Sequence, residues 1–115
     1  MKDALAVTAG GLGTLIAVIH GYLGEMKVVR PIKDAPASAK RVLHAIMFLS
    51  AVYWFIGGAI LVASPLLSAA DRRLALSIVG AMYLSGAAGN LWATRGRHFG
   101  WLLLSVTAAL AWLAI

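Results

Sequence analysis

The run ALAVTAGGLGTLIAVIHGYLG, residues 4–24, decides how this chain must fold. No acidic residue, lysine or arginine interrupts it, and at a rise of 1.5 Å per residue a helix of about 20 residues spans a hydrocarbon core of about 30 Å. Ala6, Gly10, Gly13, Ala17, Gly21 and Gly24 recur at three- and four-residue spacing, which gives this helix a flat stripe where a second helix can approach closely. The stretch therefore reads as a transmembrane helix with a packing face. It is longer than the apolar core of a secretory signal, and a histidine and glycines stand where a small-residue cleavage site would be needed.

Three further apolar blocks follow, at residues 42–64, 74–93 and 99–115. The chain is 62% hydrophobic and 12% charged, against about a quarter charged in soluble domains. No ten-residue alternating pattern suggests a barrel, so helices must satisfy the backbone in lipid. The expectation is one all-α domain: an integral membrane four-helix bundle with helices at about 4–24, 41–64, 72–93 and 98–115. With no cysteine, disulfides and thiolate metal ligands are excluded.

The net charge of +6 is explained by topology rather than by nucleic acid. Lys27, Arg30, Lys33, Lys40 and Arg41 lie in or beside the first connector and Arg95 and Arg97 in the third, whereas Lys2, Arg72 and Arg73 fall on the other side. The positive-inside bias then makes the first and third connectors cytoplasmic and the bundle N-out/C-out. The basic 25–41 segment should also meet anionic lipid headgroups. Trp92 and Trp101 near one interface and Trp112 near the other fit an aromatic belt.

Local signals place the ends. Gly24 is expected to close helix 1 in the left-handed conformation, letting Glu25 turn away from the axis. Pro31 and Pro36 stiffen the connector, Ser38 and Asp71 are expected N-caps, Pro65 stops helix 2, and Gly96 ends helix 3. Ala81, Ser85 and Ala88 are expected to form a second close-packing stripe on helix 3. The short later connectors predict antiparallel neighbours for helices 2 and 3 and for helices 3 and 4, while the longer first connector leaves helix 1 less constrained.

With this topology, His20, His44 and His98 lie near the cytoplasmic ends of helices 1, 2 and 4. Asn90 is within a turn of that level, and Glu25, the only glutamate, sits just outside. Ionisable groups at this depth favour pairing inside the bundle. Imidazoles beside a carboxylate can ligate a transition metal ion such as iron or zinc, or a haem iron. The expected site is thus His20 and His44 as cofactor ligands, Glu25 or His98 as a third group, and Asn90 as polar support. Five residues apart on a regular helix, His20 and Glu25 diverge by about 140°, so they converge only if the helix ends near Gly24. Met47, Phe48, Ala51 and Phe55 form a stripe below His44 suited to a haem or quinone pocket, or to simple packing.

Each residue also has a plainer reading. His20 can hydrogen-bond a neighbouring helix, His44 can be solvated at the interface, and His98, in RGRH, can contact headgroups. Glu25 can pair with Lys27 or Arg30, and Asn90 can bridge helices.

At these residues the chain resembles a group of small four-helix bacterial inner-membrane proteins of unassigned function. They share His20-Gly21-Tyr22-Leu23-Gly24-Glu25 ending helix 1, Arg30-Pro31 just after, and Arg95-Gly96-Arg97-His98 with Trp101 opening the last helix. The resemblance implies a multi-pass inner-membrane location and imports no mechanism. The small multidrug exporters have similar length and helix number, but their glutamate lies well inside helix 1, where this chain reads GLGTLIAV.

Three functions follow as expectations. The first is a membrane protein with a His/Glu site for a metal or haem, without transport. The second is a structural or assembly subunit that docks other membrane helices, in a homo-oligomer or against a different partner. The third is an enzyme acting on a lipid or quinone headgroup through His20 and Glu25; no nucleophile motif, phosphate loop or HExxH signature supports it, so an enzyme is the lesser expectation.

Overall fold

The structure, a computed structural model describing residues 1–115, is entirely helical. Helix α1 (Lys2–Leu23) continues into a π-helical segment, Gly24–Val29; α2 (Ala37–Ala63) runs into a 3-10 turn, Ser64–Leu66; α3 (Ala69–Thr94) and α4 (Gly100–Leu113) complete the chain. The bundle measures 51 × 23 × 18 Å. Three helical stretches, Lys2–Val29, Ala37–Leu66 and Ala69–Thr94, are long and apolar enough to cross a membrane. At 14 residues α4 rises only about 21 Å, because residues 95–99 form the turn that precedes it rather than its first helical turn.

Helix α1 is the centre of the bundle. It packs along α2 on one side and α4 on the other, α3 packs along α4, and α2 and α3 meet more sparsely. The α1 stripe faces inward: Ala6, Gly10, Gly13, Ala17 and Gly24 are buried, and Gly21 is half-buried against Ala51. On the α2 side a Cβ on Gly10 would lie 2.5 Å from the Gly58 carbonyl oxygen, so the two backbones touch directly.

Where α2 and α3 stand further apart, large side chains fill the space. Tyr83 is wholly buried and its hydroxyl donates to the Trp54 carbonyl at 2.6 Å; Trp54 lies over Gly86 of α3. This pairing corrects the expected stripe on α3. Ala81, Ser85 and Ala88 face outward, and Leu76, Val79, Gly80, Tyr83 and Ala87 face the core. The phenol needs a buried acceptor, and the face that supplies one is the face turned in.

Two expected caps also move. Ser68, not Asp71, caps α3: its Oγ accepts from the Asp71 N–H at 3.2 Å and donates to Asp71 Oδ2 at 2.6 Å. Helix α2 starts at Ala37 behind Pro36, one residue before Ser38. At the end of α3, Gly96 N–H donates to the Leu91 carbonyl at 2.9 Å and Arg95 N–H to Trp92 at 3.3 Å. That pattern is a Schellman motif, with Arg95 itself in the left-handed region at φ 51°.

Candidate functional site

The site begins with the π-helical segment. Gly24 is not left-handed; its φ and ψ of −57° and −47° are right-handed helical, and it is buried where a Cβ would meet Met47 Sδ at 2.8 Å. The helix widens instead of stopping, and Arg30 N–H donates to the Glu25 carbonyl five residues back at 3.0 Å. Pro31 lacks an N–H and cannot extend the ladder. Single π turns recur at functional positions in helices, and here the turn carries the only glutamate.

Glu25 reaches α2. Its Oε2 lies 2.9 Å from His44 Nδ1, and its Oε1 accepts from Arg30 Nε at 3.4 Å. His44 and Arg30 are largely exposed, so these contacts contribute about 0–1 kcal/mol to stability. Their value lies in positioning, and the plain Glu25–Arg30 pair anticipated from the sequence is present alongside the His44 contact.

His20 takes a different direction. Its Nε2 is 3.0 Å from Ser50 Oγ, and its ring lies against Trp54 with centroids 4.4 Å apart. Ser50 Oγ donates to the Met47 carbonyl at 2.9 Å, so the imidazole N–H donates to Ser50 rather than removing its proton. The contact joins α1 to α2 and does not activate a nucleophile. His98 is exposed and its Nδ1 accepts from the Gly100 N–H at 3.1 Å, closing the first turn of α4. Asn90 makes no interhelical bond through its side-chain oxygen: Oδ1 is buried without a donor.

The four expected ligands therefore do not converge. His44 and Glu25 meet, His20 turns to Ser50 and Trp54, His98 serves its own turn, and no three His, Asp or Glu side chains gather as a metal-holding group. The reason is both axial and azimuthal. His44 and Ser50 are six residues apart on α2, hence about 9 Å apart along the axis and on flanks about 120° apart, so a histidine held by Ser50 cannot share a ligand with His44. Counting along the sequence brings Glu25 level with His44, whereas His20 reaches α2 further along, at Ser50 and Trp54. The same geometry separates His20 from Glu25, the pair needed for acid and base action together.

What does form beside Glu25 and His44 is a groove of about 420 Å³ between α1 and α2. Ala17 and Gly21 of α1 and Ala51 of α2 supply small side chains, Val18, Val52, Met47, Phe48 and Phe55 supply bulk, and Glu25 and His44 close one end. The stripe Met47, Phe48, Ala51 and Phe55 was legible in the sequence; the α1 contribution at 17, 21 and 25, spaced by four, was hidden within a stripe that also packs. Compared with known protein families, curated proteins and solved structures, the chain matches none.

Proposed function

We propose that this is a small multi-pass protein of the bacterial inner membrane that holds an amphipathic molecule in the α1–α2 groove. The apolar chain lies along Met47, Phe48, Ala51 and Phe55, and the polar head meets Glu25 and His44 at the cytoplasmic edge. The single observation behind this reading is a groove that is apolar along its length and polar at one end. Its mixed lining matches binding sites in general, which are mostly apolar with a few placed polar groups. The distribution of basic residues and the likeness to small inner-membrane proteins support an N-out/C-out bundle in which α4, extended by Phe99, Ala114 and Ile115, makes the fourth crossing. A metal or haem centre on His20 and His44 is not favoured by side chains that point apart.

The test is direct. Protein purified from membranes in mild detergent should carry a co-purifying amphiphile detectable by native mass spectrometry. Val18 is a 59% exposed groove wall, so Val18→Trp should fill the groove without entering the core and reduce the bound amphiphile several-fold. Equal occupancy in both proteins would defeat the reading.

A second reading, a subunit that docks another membrane helix, is favoured by one observation: Ala81, Ser85 and Ala88 form an exposed strip of small residues on α3. Crosslinking through Ser85→Cys in native membranes should capture that neighbour, and a purely monomeric product would discard it.

A further inference from the structure

The polar end of the groove has a built-in hydrogen-bonding sense. Glu25 Oε2 and His44 Nδ1 are 2.9 Å apart. At that separation a carboxylate oxygen and a bare ring nitrogen would oppose lone pair to lone pair, so Nδ1 carries a proton, and in the neutral form of the imidazole that is its only one. The partner of one ring nitrogen sets the role of the other, and in that neutral form Nε2 is left as an acceptor. Glu25 Oε1 is already occupied by Arg30 Nε at 3.4 Å. Glu25, His44 and Arg30 thus make a polar end whose unengaged imidazole nitrogen asks for a proton donor.

Resting on the groove reading above, we infer that the site selects amphiphiles with a hydroxyl head, whose O–H donates to His44 Nε2 while a long apolar chain lies in the groove. An isoprenoid alcohol, a diacylglycerol and a long-chain hydroquinone share this chemistry. Their methyl ethers have the same chain and nearly the same shape but no proton to give. Lys40 and Arg41, one helical turn before His44 on α2, and Lys27 on the π segment are the other charged groups near this end by sequence spacing. They would attract an anionic head without needing His44, so dependence on His44 separates the two cases.

The experiment uses the full chain in phosphatidylcholine nanodiscs with 15N-labelled histidine. In the free protein the His44 resonances should report the Nδ1–H tautomer. Farnesol, dioctanoylglycerol and a long-chain hydroquinone are then each titrated beside their O-methyl ethers. At least one hydroxyl compound should bind about tenfold more tightly than its ether, the factor expected of one hydrogen bond, and should shift His44 Nε2; which one does so identifies the source. His44→Phe should bring the alcohol down to the ether's affinity.

An Nε2–H tautomer or an imidazolium in the free protein would overturn the inference, as would equal binding of alcohol and ether or a preference that survives in His44→Phe. Equal binding that Val18→Trp abolishes removes only the hydroxyl preference and leaves the groove reading standing. Binding that Val18→Trp does not weaken, or no binding at all, removes the groove reading as well.

Discussion

Tyr83 shows how one residue can decide which face of a helix turns inward. It is the largest wholly buried side chain, and its hydroxyl is anchored on the Trp54 carbonyl. Tyr83→Phe keeps the ring and removes one neutral hydrogen bond, so thermal or denaturant unfolding in detergent should show a loss of about 1 kcal/mol; an unchanged midpoint would mean the bond contributes nothing net. Arg95 is the opposite case, a residue whose backbone conformation opposes its type. At φ 51° it occupies the position that glycine usually takes in a Schellman motif. A left-handed L-residue costs about 1–2 kcal/mol, part of which glycine returns through its freer unfolded chain. Arg95→Gly should therefore raise stability by about 0.5–1 kcal/mol in the same assay, and a lowered midpoint would show that the arginine side chain makes a compensating contact.

Between elements, the α1–α2 seam gives a matched comparison. Gly10 meets the Gly58 carbonyl and Val62, whereas its neighbour Gly11 has nothing within 4 Å of a hypothetical Cβ. Gly10→Leu should force the helices apart and lower stability by several kcal/mol, with Gly11→Leu neutral or better; similar losses in both would contradict direct backbone contact at the seam. Overpacking usually costs about 1–3 kcal/mol when side chains can shift, and here the obstacle is backbone. This seam was legible because α1 has a single continuous run of small residues, so its closest-packing face stands out. On α3 small residues occur all round, and the misread strip at Ala81, Ser85 and Ala88 lost to a face defined by the needs of a phenol. The π turn was not legible at all. Nothing in GEMKVV distinguishes a five-residue hydrogen-bond step from a four-residue one, yet that step sets the direction of Glu25. Counting along helices brought Glu25 level with His44, but the convergence of the rest depended on where each side chain meets its neighbour, and His20 does so about 9 Å further along α2, at Ser50.

At the scale of the whole molecule, the fold determines which charges share an end before any membrane is considered. Asp3 pairs with Arg72, joining the start of α1 to the start of α3, and Glu25 meets His44, joining the end of α1 to the first turns of α2. The links at residues 30–36 and 95–99 therefore lie at one end and residues 67–68 at the other. Seven basic residues near the first end, Lys27, Arg30, Lys33, Lys40, Arg41, Arg95 and Arg97, stand against Lys2, Arg72 and Arg73 at the second. On the orientation proposed above, the positive-inside rule turns the first end toward the cytoplasm. Because the chain has no cysteine, every introduced thiol is unique and can be labelled without background. Lys33, Arg73 and Arg97 are all exposed, so their cysteine variants report on topology rather than burial. In intact spheroplasts, an impermeant maleimide should modify Arg73→Cys and spare Lys33→Cys and Arg97→Cys, with all three labelled after lysis. The reversed pattern would keep the bundle and invert its orientation, moving the Glu25–His44 end of the groove to the outer leaflet. Separation of Lys33 from Arg97 would be incompatible with the bundle itself, since α3 and α4 would no longer return the chain to the end where α1 meets α2.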